Sequence, residues 1–303
     1  MRSKGWCVWA VVLAGALALA GAPAQAAEKA GKTVRLAEGV FAWDSPGPDV
    51  NNGVVVGSRG IFVYNCDLGK TYKHLTAVIQ KEGQGRAVRF LGNGHAAGDD
   101  IGCNGQFEDM GATIVSSQAM YDDLVEKGPK RYKERLEKAG GRLVYPHVSF
   151  KDRLVLDLGS HKVHMIYMGH GHTAGDTVAY LPKEKVLFST DLLFVDNHPT
   201  ITDGNTANWQ KILATLRAWE VEALVPGHGP VVQGRENVLK AIDALDAYFT
   251  DLRGQIKALM AQGKKLAEIR KAVDVKKYAS WGRKNTLEGT VKKIYAELGG
   301  RGE

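Results

Sequence analysis

The stretch Gly94-His95-Ala96-Ala97-Gly98-Asp99-Asp100-Ile101-Gly102 follows directly on the apolar run Val88 to Leu91. The short apolar run reads as a strand, and the glycine-bracketed His and Asp residues read as a loop at its end. Three further clusters repeat this arrangement: Gly169-His170-Gly171-His172-Thr173-Ala174-Gly175-Asp176, Phe188-Ser189-Thr190-Asp191, and Val225-Pro226-Gly227-His228-Gly229-Pro230. Each is weak alone. Together they place imidazoles and carboxylates at the ends of separate strands, where side chains can converge on one point. Those are the donor groups with which a hydrolytic metal ion is held and a water acidified. The glycines allow tight turns and a close approach of backbone to an ion.

Working outward from these loops, Val54 to Val56, Ile61 to Tyr64, Val88 to Leu91 and Ala112 to Val115 read as strands, with Tyr72, Leu75 and Val78-Ile79 at helical spacing among them. A second set follows at Leu154 and Leu156, Val163 to Tyr167, Thr177 to Leu181, Val186 to Phe188 and Ala223 to Val225, with a helix marked by Ile212, Leu216 and Trp219. Two sets of strands with helices between them predict a layered α/β sandwich. After Pro230 the pattern changes: Val238, Ile242, Leu245, Phe249, Leu252, Ile256 and Leu259 form the stripe of one long amphipathic helix, broken at Gly263. Shorter helical patterns at Leu266, Ile269 and Val273 and at Leu287, Val291, Ile294 and Leu298 complete a helical extension expected to pack on the sandwich. The predicted division is residues 1–26, 27–234 and 235–303.

The first segment has the form of a leader: Arg2 and Lys4, an apolar run from Trp6 to Leu19, then Ala24-Gln25-Ala26 as a cleavage site. The expected location is periplasmic or secreted, without stable membrane insertion after cleavage. The run is short for a span, and nothing after it is apolar enough to cross a bilayer. A hydrophobic content of 44% with 24% charged residues suits a soluble globular chain with a sizeable core. Loss of Arg2 and Lys4 lowers the formal charge from +7 to +5. That charge is too modest and too evenly spread for a nucleic-acid partner. A small-molecule substrate is expected, and the oligomeric state is left open.

In order and spacing the four clusters resemble the metallo-β-lactamase superfamily, whose motifs run H-x-H-x-D-H, G-H-T, an Asp after a strand, and P-G-H-G-P. The last three stand here as Gly171-His172-Thr173, Asp191 and Pro226 to Pro230, and Asp67-Leu68-Gly69 matches the family's early Asp-x-Gly. The resemblance implies a four-layer αβ/βα sandwich and one or two divalent metal ions held by His95, Asp99, Asp100, His172, Asp191 and His228. It also implies attack of metal-activated water on a small ester, lactone, lactam or thioester, with Asp99 as ligand and proton acceptor. Asp67 and Thr173 would support the ligands through hydrogen bonds.

The first motif departs from the pattern. His95 takes the first His position, Ala97 replaces the second His and Asp100 the third. The first ion is left with His95, His172 and Asp191, one ligand short, while the second keeps Asp99, Asp100, Asp191 and His228. A single ion in the second position is therefore expected. Zinc comes first, with iron or manganese kept beside it because carboxylates make a harder site. His170 either lies outside the donor set or swings in to replace the missing imidazole.

Should Asp67 support the first motif as the resemblance implies, Cys66 and Cys103 could bridge; two buried thiols are the alternative. His74, His147, His161, His164 and His198 belong to no motif and are taken as structural or surface residues. Trp43, Asp196 to His198 and Trp209 are placed around the mouth of a cleft. The competing reading of the whole chain is a non-catalytic binding or accessory protein whose metal site has degenerated at Ala97 and Asp100.

Overall fold

A computed structural model describes residues 31–45, 49–68 and 70–301. The leader, with its expected cleavage site, and Gly69 lie outside them. Seven strands form the first sheet in sequence order: β1 (Lys32–Ala37), β2 (Val40–Asp44), β3 (Asn52–Gly57), β4 (Gly60–Tyr64), β5 (Val88–Gly92), β6 (Thr113–Ser117) and β7 (Val148–Phe150). β1 to β4 pair antiparallel and β4 to β7 parallel. The second sheet comprises β8 (Arg153–Asp157), β9 (Lys162–Gly169), β10 (Asp176–Leu181), β11 (Val186–Phe194), β12 (Ala223–His228) and β13 (Val232–Gln233), also in sequence order.

Side-chain alternation along the strands explains the layering. Val55, Phe62 and Tyr64 point inward onto Met165, Ala179 and Phe188 of the other sheet. Their neighbours Val54, Ile61 and Val63 point outward and pack with Leu75 of α1 (Lys70–Glu82). Both faces of both sheets are thus apolar, as a four-layer sandwich requires. On the first sheet's side, α2 (Gly98–Ile101), α3 (Asn104–Asp109), α4 (Gln118–Arg131) and α5 (Lys133–Lys138) follow α1. On the second sheet's side lie α6 (Thr206–Ala218), α7 (Arg235–Ala261), α8 (Leu266–Ala272) and α9 (Leu287–Glu297).

The long C-terminal stripe becomes α7, whose Leu245, Phe249 and Leu252 share one core with Trp209 of α6 and with Val291 and Ile294 of α9. Arg253 of α7 closes the three-helix junction, pairing with Glu297 of α9 at 2.7 Å. Glu297 in turn accepts the backbone N–H of Thr206 at 2.9 Å, capping the start of α6. Among the described residues no helix is long and apolar enough to cross a membrane.

Two elements differ from the sequence expectation. β11 runs on to Phe194, so Asp191 lies inside a strand rather than in a loop after one. A register shift between Phe188 and Thr190 marks a bulge there, and Thr190 has a φ of 48°. A β-branched residue is strained in that region, and the kink re-aims the next side chain. Trp209 is fully buried beneath the site instead of bordering its mouth.

Candidate metal centre

The loops after β5 and β9, the bulged part of β11 and the last residue of β12 come together at one edge of the sandwich and bring His95, His172, Asp191 and His228 into a single buried cluster. Three sets of donor atoms lie within 4.8 Å of one another: His95, His172 and Asp191; Asp99, Asp191 and His228; and His95, Asp99 and Asp100. Asp191 belongs to the first two, the arrangement needed for a carboxylate shared between neighbouring positions.

Each imidazole is tied on its outward nitrogen. His172 Nδ1 donates to the Thr200 carbonyl at 2.9 Å. His95 Nδ1 lies 2.6 Å from Asp100 Oδ2. His228 Nδ1 lies 3.3 Å from the Asp49 carbonyl. Outer hydrogen bonds of this kind fix the ring and leave the other nitrogen to face a metal.

His95 Nε2, His228 Nε2 and Asp191 Oδ1 are buried without a hydrogen-bond partner. Buried polar atoms are seldom left so. The gaps between donors have the matching size. His172 Nε2 and His228 Nε2 each stand 3.4 Å from an Asp191 oxygen. That is long for a hydrogen bond, and it equals the roughly 3.4 Å between two corners of a tetrahedron whose ligands lie about 2.1 Å from a central ion. The donor set therefore fits a divalent cation.

At Asp191 and His172 charge points the same way. Burial alone would raise the Asp191 pKa, but His228 and His172 outweigh it and hold the carboxyl well below the usual range, so it is ionised. Burial lowers the His172 pKa, favouring the neutral ring a ligand needs. At His95 burial also acts downward, but the contact with Asp100 dominates and raises the pKa well above normal.

Among the described residues Asp100 groups with His95 and Asp99, and not with Asp191 and His228. Its Oδ2 accepts from the His95 backbone at 3.0 Å and from Thr190 Oγ1 at 2.9 Å, besides lying against the His95 ring. One oxygen is thus spent on orienting His95, and only Oδ1 is without a partner. In this geometry the second position has three donors, Asp99, Asp191 and His228, and the first also has three.

Thr173 stands where the G-H-T turn needs it, its Oγ1 donating to Asp176 at 2.6 Å. His170 turns away, its Nε2 lying 2.5 Å from the Asp203 carbonyl, and it joins none of the donor sets. Asp67 is half-buried; burial first, then the charge of Asp99, pushes its pKa up to about 6. Cys66 and Cys103 are joined as a disulfide. His74, His161 and His198 are occupied by Trp43, Glu184 and Tyr248 respectively, and none of them reaches the cluster.

Several supports have no role assigned from the sequence. Asp176 is fully buried and accepts the backbone N–H groups of Gly171, His172 and Thr173, so it shapes the whole turn. Its sequence signals are its place at the end of the Gly169–Asp176 cluster and the Thr-x-x-Asp spacing from Thr173. Thr190 braces Asp100, and Arg283 reaches in from the extension. Gly227 is required for space: a Cβ there would stand 2.1 Å from Asp191 Oδ1 and 2.8 Å from the Asp191 backbone nitrogen.

A four-layer sandwich with a buried histidine–carboxylate cluster at one edge defines an α/β protein with a candidate metal site. The family model of the metallo-β-lactamase superfamily matches residues 111–228, beginning after the irregular His95–Asp100 loop. The chain is 31% identical over 150 residues to a type 2 metallo-β-lactamase of Bacteroides fragilis, an alignment covering 48% of this chain and 54% of that relative. The chain thus matches about half the length of that relative.

Solved metallo-β-lactamase structures share the fold. A metallo-β-lactamase from Pontibacter korlensis superposes with a TM-score of 0.57 at 19% identity, over 70% of this chain and 99% of that one. The DIM-1 metallo-β-lactamase exposed to ceftazidime gives 0.57 at 18% identity, over 73% and 98%. Residues 111–228 are thus similar to the metallo-β-lactamase superfamily, and the fold is the one those solved metallo-β-lactamases share.

Proposed function

We propose that this protein is an exported metal-dependent hydrolase acting on a small ester, lactone, lactam or thioester. The observation that carries the reading is the set of three imidazoles, each tied at Nδ1, whose Nε2 atoms surround the ionised Asp191. A bound divalent ion would supply Lewis acidity and lower the pKa of a water. His95, His172 and Asp191 would hold it in one position, and Asp99, Asp191 and His228 in the other.

Asp191 and His228 are nearly sealed from solvent, with side chains 4% and 3% exposed, whereas Asp99 is 31% exposed. Asp99 is therefore the carboxylate of the set that reaches bulk water and can accept a proton from the nucleophile and pass it on. Phe194 and Trp209 pack against His172 at 6.0 and 5.6 Å and keep the inner side of the cluster dry. Zinc suits two histidines with a carboxylate; iron or manganese would be favoured if Asp100 Oδ1 turned in as a further hard donor. The buried disulfide supports the reading of residues 1–26 as an export leader, since such bonds persist in oxidising compartments.

The commitment of Asp100 to His95 favours a second reading, a non-catalytic binding protein with a degenerate site. Elemental analysis after reconstitution separates the two, followed by a screen of nitrocefin, aryl esters and lactones with a metal-free control. The hydrolase is expected to hold at least one equivalent and to lose turnover with it, and Ala97→His should raise the stoichiometry toward two. Less than about a tenth of an equivalent of any transition metal would sink the proposal.

A further inference from the structure

We propose that Arg283, delivered by the C-terminal extension, is a positioning residue for two candidate metal ligands at once, His172 and His228; the inference rests on the metal-centre reading above. Arg283 precedes a single 3₁₀ turn at Lys284–Thr286 and has a φ of 54°. A non-glycine residue in that conformation is strained and persists only where its surroundings hold it. They do so here. Gly282 forms a bridge with Asn197 and donates its N–H to the Asp196 carbonyl at 2.8 Å. The Gly282 carbonyl accepts from His198 N at 3.1 Å, and Thr286 Oγ1 donates to the His198 carbonyl at 3.1 Å. The segment is laced to residues 196–198 of the loop that follows β11.

From this anchor the guanidinium reaches His228 and Thr200, the hydrogen-bond partner of His172. Its Nη2 donates to Thr200 Oγ1 at 2.8 Å, and the carbonyl of that same Thr200 accepts from His172 Nδ1 at 2.9 Å. Its Nη1 lies 3.3 Å from His228 Nδ1. The guanidinium carbon sits 5.6 Å from the centre of Phe194, whose ring stacks on His228 at 5.1 Å and lies 6.0 Å from His172. Arg283 and Phe194 thus form one platform under two imidazoles of different donor sets.

The chemistry at His228 decides what kind of hold this is. A guanidinium has no acceptor and does not deprotonate. The tautomer presenting an Nε2 lone pair to Asp191 and Asp99 carries its proton on Nδ1, donated to the Asp49 carbonyl. Arg283 therefore makes no hydrogen bond to His228; it acts on that ring through Phe194, and on His172 through the short bond to Thr200. Lysine offers a point charge and cannot span both partners. Arg283 lies beyond residues 111–228 matched by the family model, so the support is built from this chain's own extension.

The test uses the full chain with Zn(II) and Co(II) as the only probes. Arg283→Met should weaken Zn(II) binding, measured by competition with a chromophoric chelator, by about 10- to 100-fold. It should also shift the visible spectrum of the Co(II) form, while the unfolding midpoint of the metal-free protein stays close to the parent. Arg283→Lys should fall between the two. Thr200→Val, which removes only the hydroxyl acceptor, should weaken Zn(II) in the same direction and serves if Arg283→Met does not fold. Parent-like affinity and an unchanged Co(II) spectrum in Arg283→Met, or in Thr200→Val in its place, would overturn the inference while leaving the metal centre standing. A parent protein that takes up neither metal would overturn both.

Discussion

Removing the disulfide tests how the metal loop is built. Cys66 follows β4, Cys103 precedes α3, and both are fully buried. The bond closes a loop spanning 37 residues, which removes about 13 cal/mol/K from the entropy of the unfolded chain, or about 3.8 kcal/mol at 25 °C. Alanine at both positions also leaves small voids, adding on the order of 1 kcal/mol. Cys66→Ala combined with Cys103→Ala should therefore cost about 4 to 5 kcal/mol, a large share of a typical domain's stability.

The same variant should disturb the metal site much less. Two backbone hydrogen bonds run alongside the bridge, Cys66 N to Asp100 O at 3.1 Å and Cys103 N to Cys66 O at 3.2 Å. They persist without sulfur and hold the loop carrying Asp99 and Asp100. Urea unfolding followed by tryptophan fluorescence, with Zn(II) affinity measured in parallel, reads both quantities. A stability loss below about 1 kcal/mol would refute the chain-entropy argument. A hundredfold loss of Zn(II) affinity in the folded variant would refute the claim that the backbone holds the loop.

Gly227→Ala should lower stability by about 2 kcal/mol or more and weaken metal binding, because the new methyl group meets both the carboxylate and the backbone of Asp191; parent-like thermal unfolding and metal content would contradict this. Arg131, bonded to Asp203 at 2.5 Å, and then Lys127 hold the Asp203 carboxyl below its usual range. A depressed acid stabilises the fold above its unfolded pKa, and that contribution is lost as pH falls through the folded value. Asp203→Asn should therefore bring the protein's melting temperatures closer to the parent's in strong acid and leave a deficit under about 1 kcal/mol near neutrality. An equal deficit at every pH would argue against the linkage.

Much of the architecture was legible because strand alternation and helix periodicity are local. The run Ile61 to Tyr64 had to be a strand covered on both faces, and the stripe from Val238 to Leu259 had to be one helix with one apolar side. β1 gave no comparably clear signal, because Lys32–Ala37 mixes charged and apolar residues and depends on pairing with its neighbour for its form. The bulge at Thr190 was hidden for a similar reason. A register shift belongs to two strands at once and cannot be read from either.

The loop from Gly94 to Gly102 shows where local information ends. Its residues alone established that His and Asp donors stand at a strand end, and that Ala97 breaks the repeat of imidazoles. Distance alone decided that Asp100 Oδ2 lies 2.6 Å from His95 Nδ1 instead of joining His228. Arg283 and Thr200, remote in the chain, come together only once the extension is packed against the loop after β11. Donor identity is a property of the residue, and sequence carries it. Which lone pair faces the ion is set by contacts between distant segments, and only the packed fold supplies those.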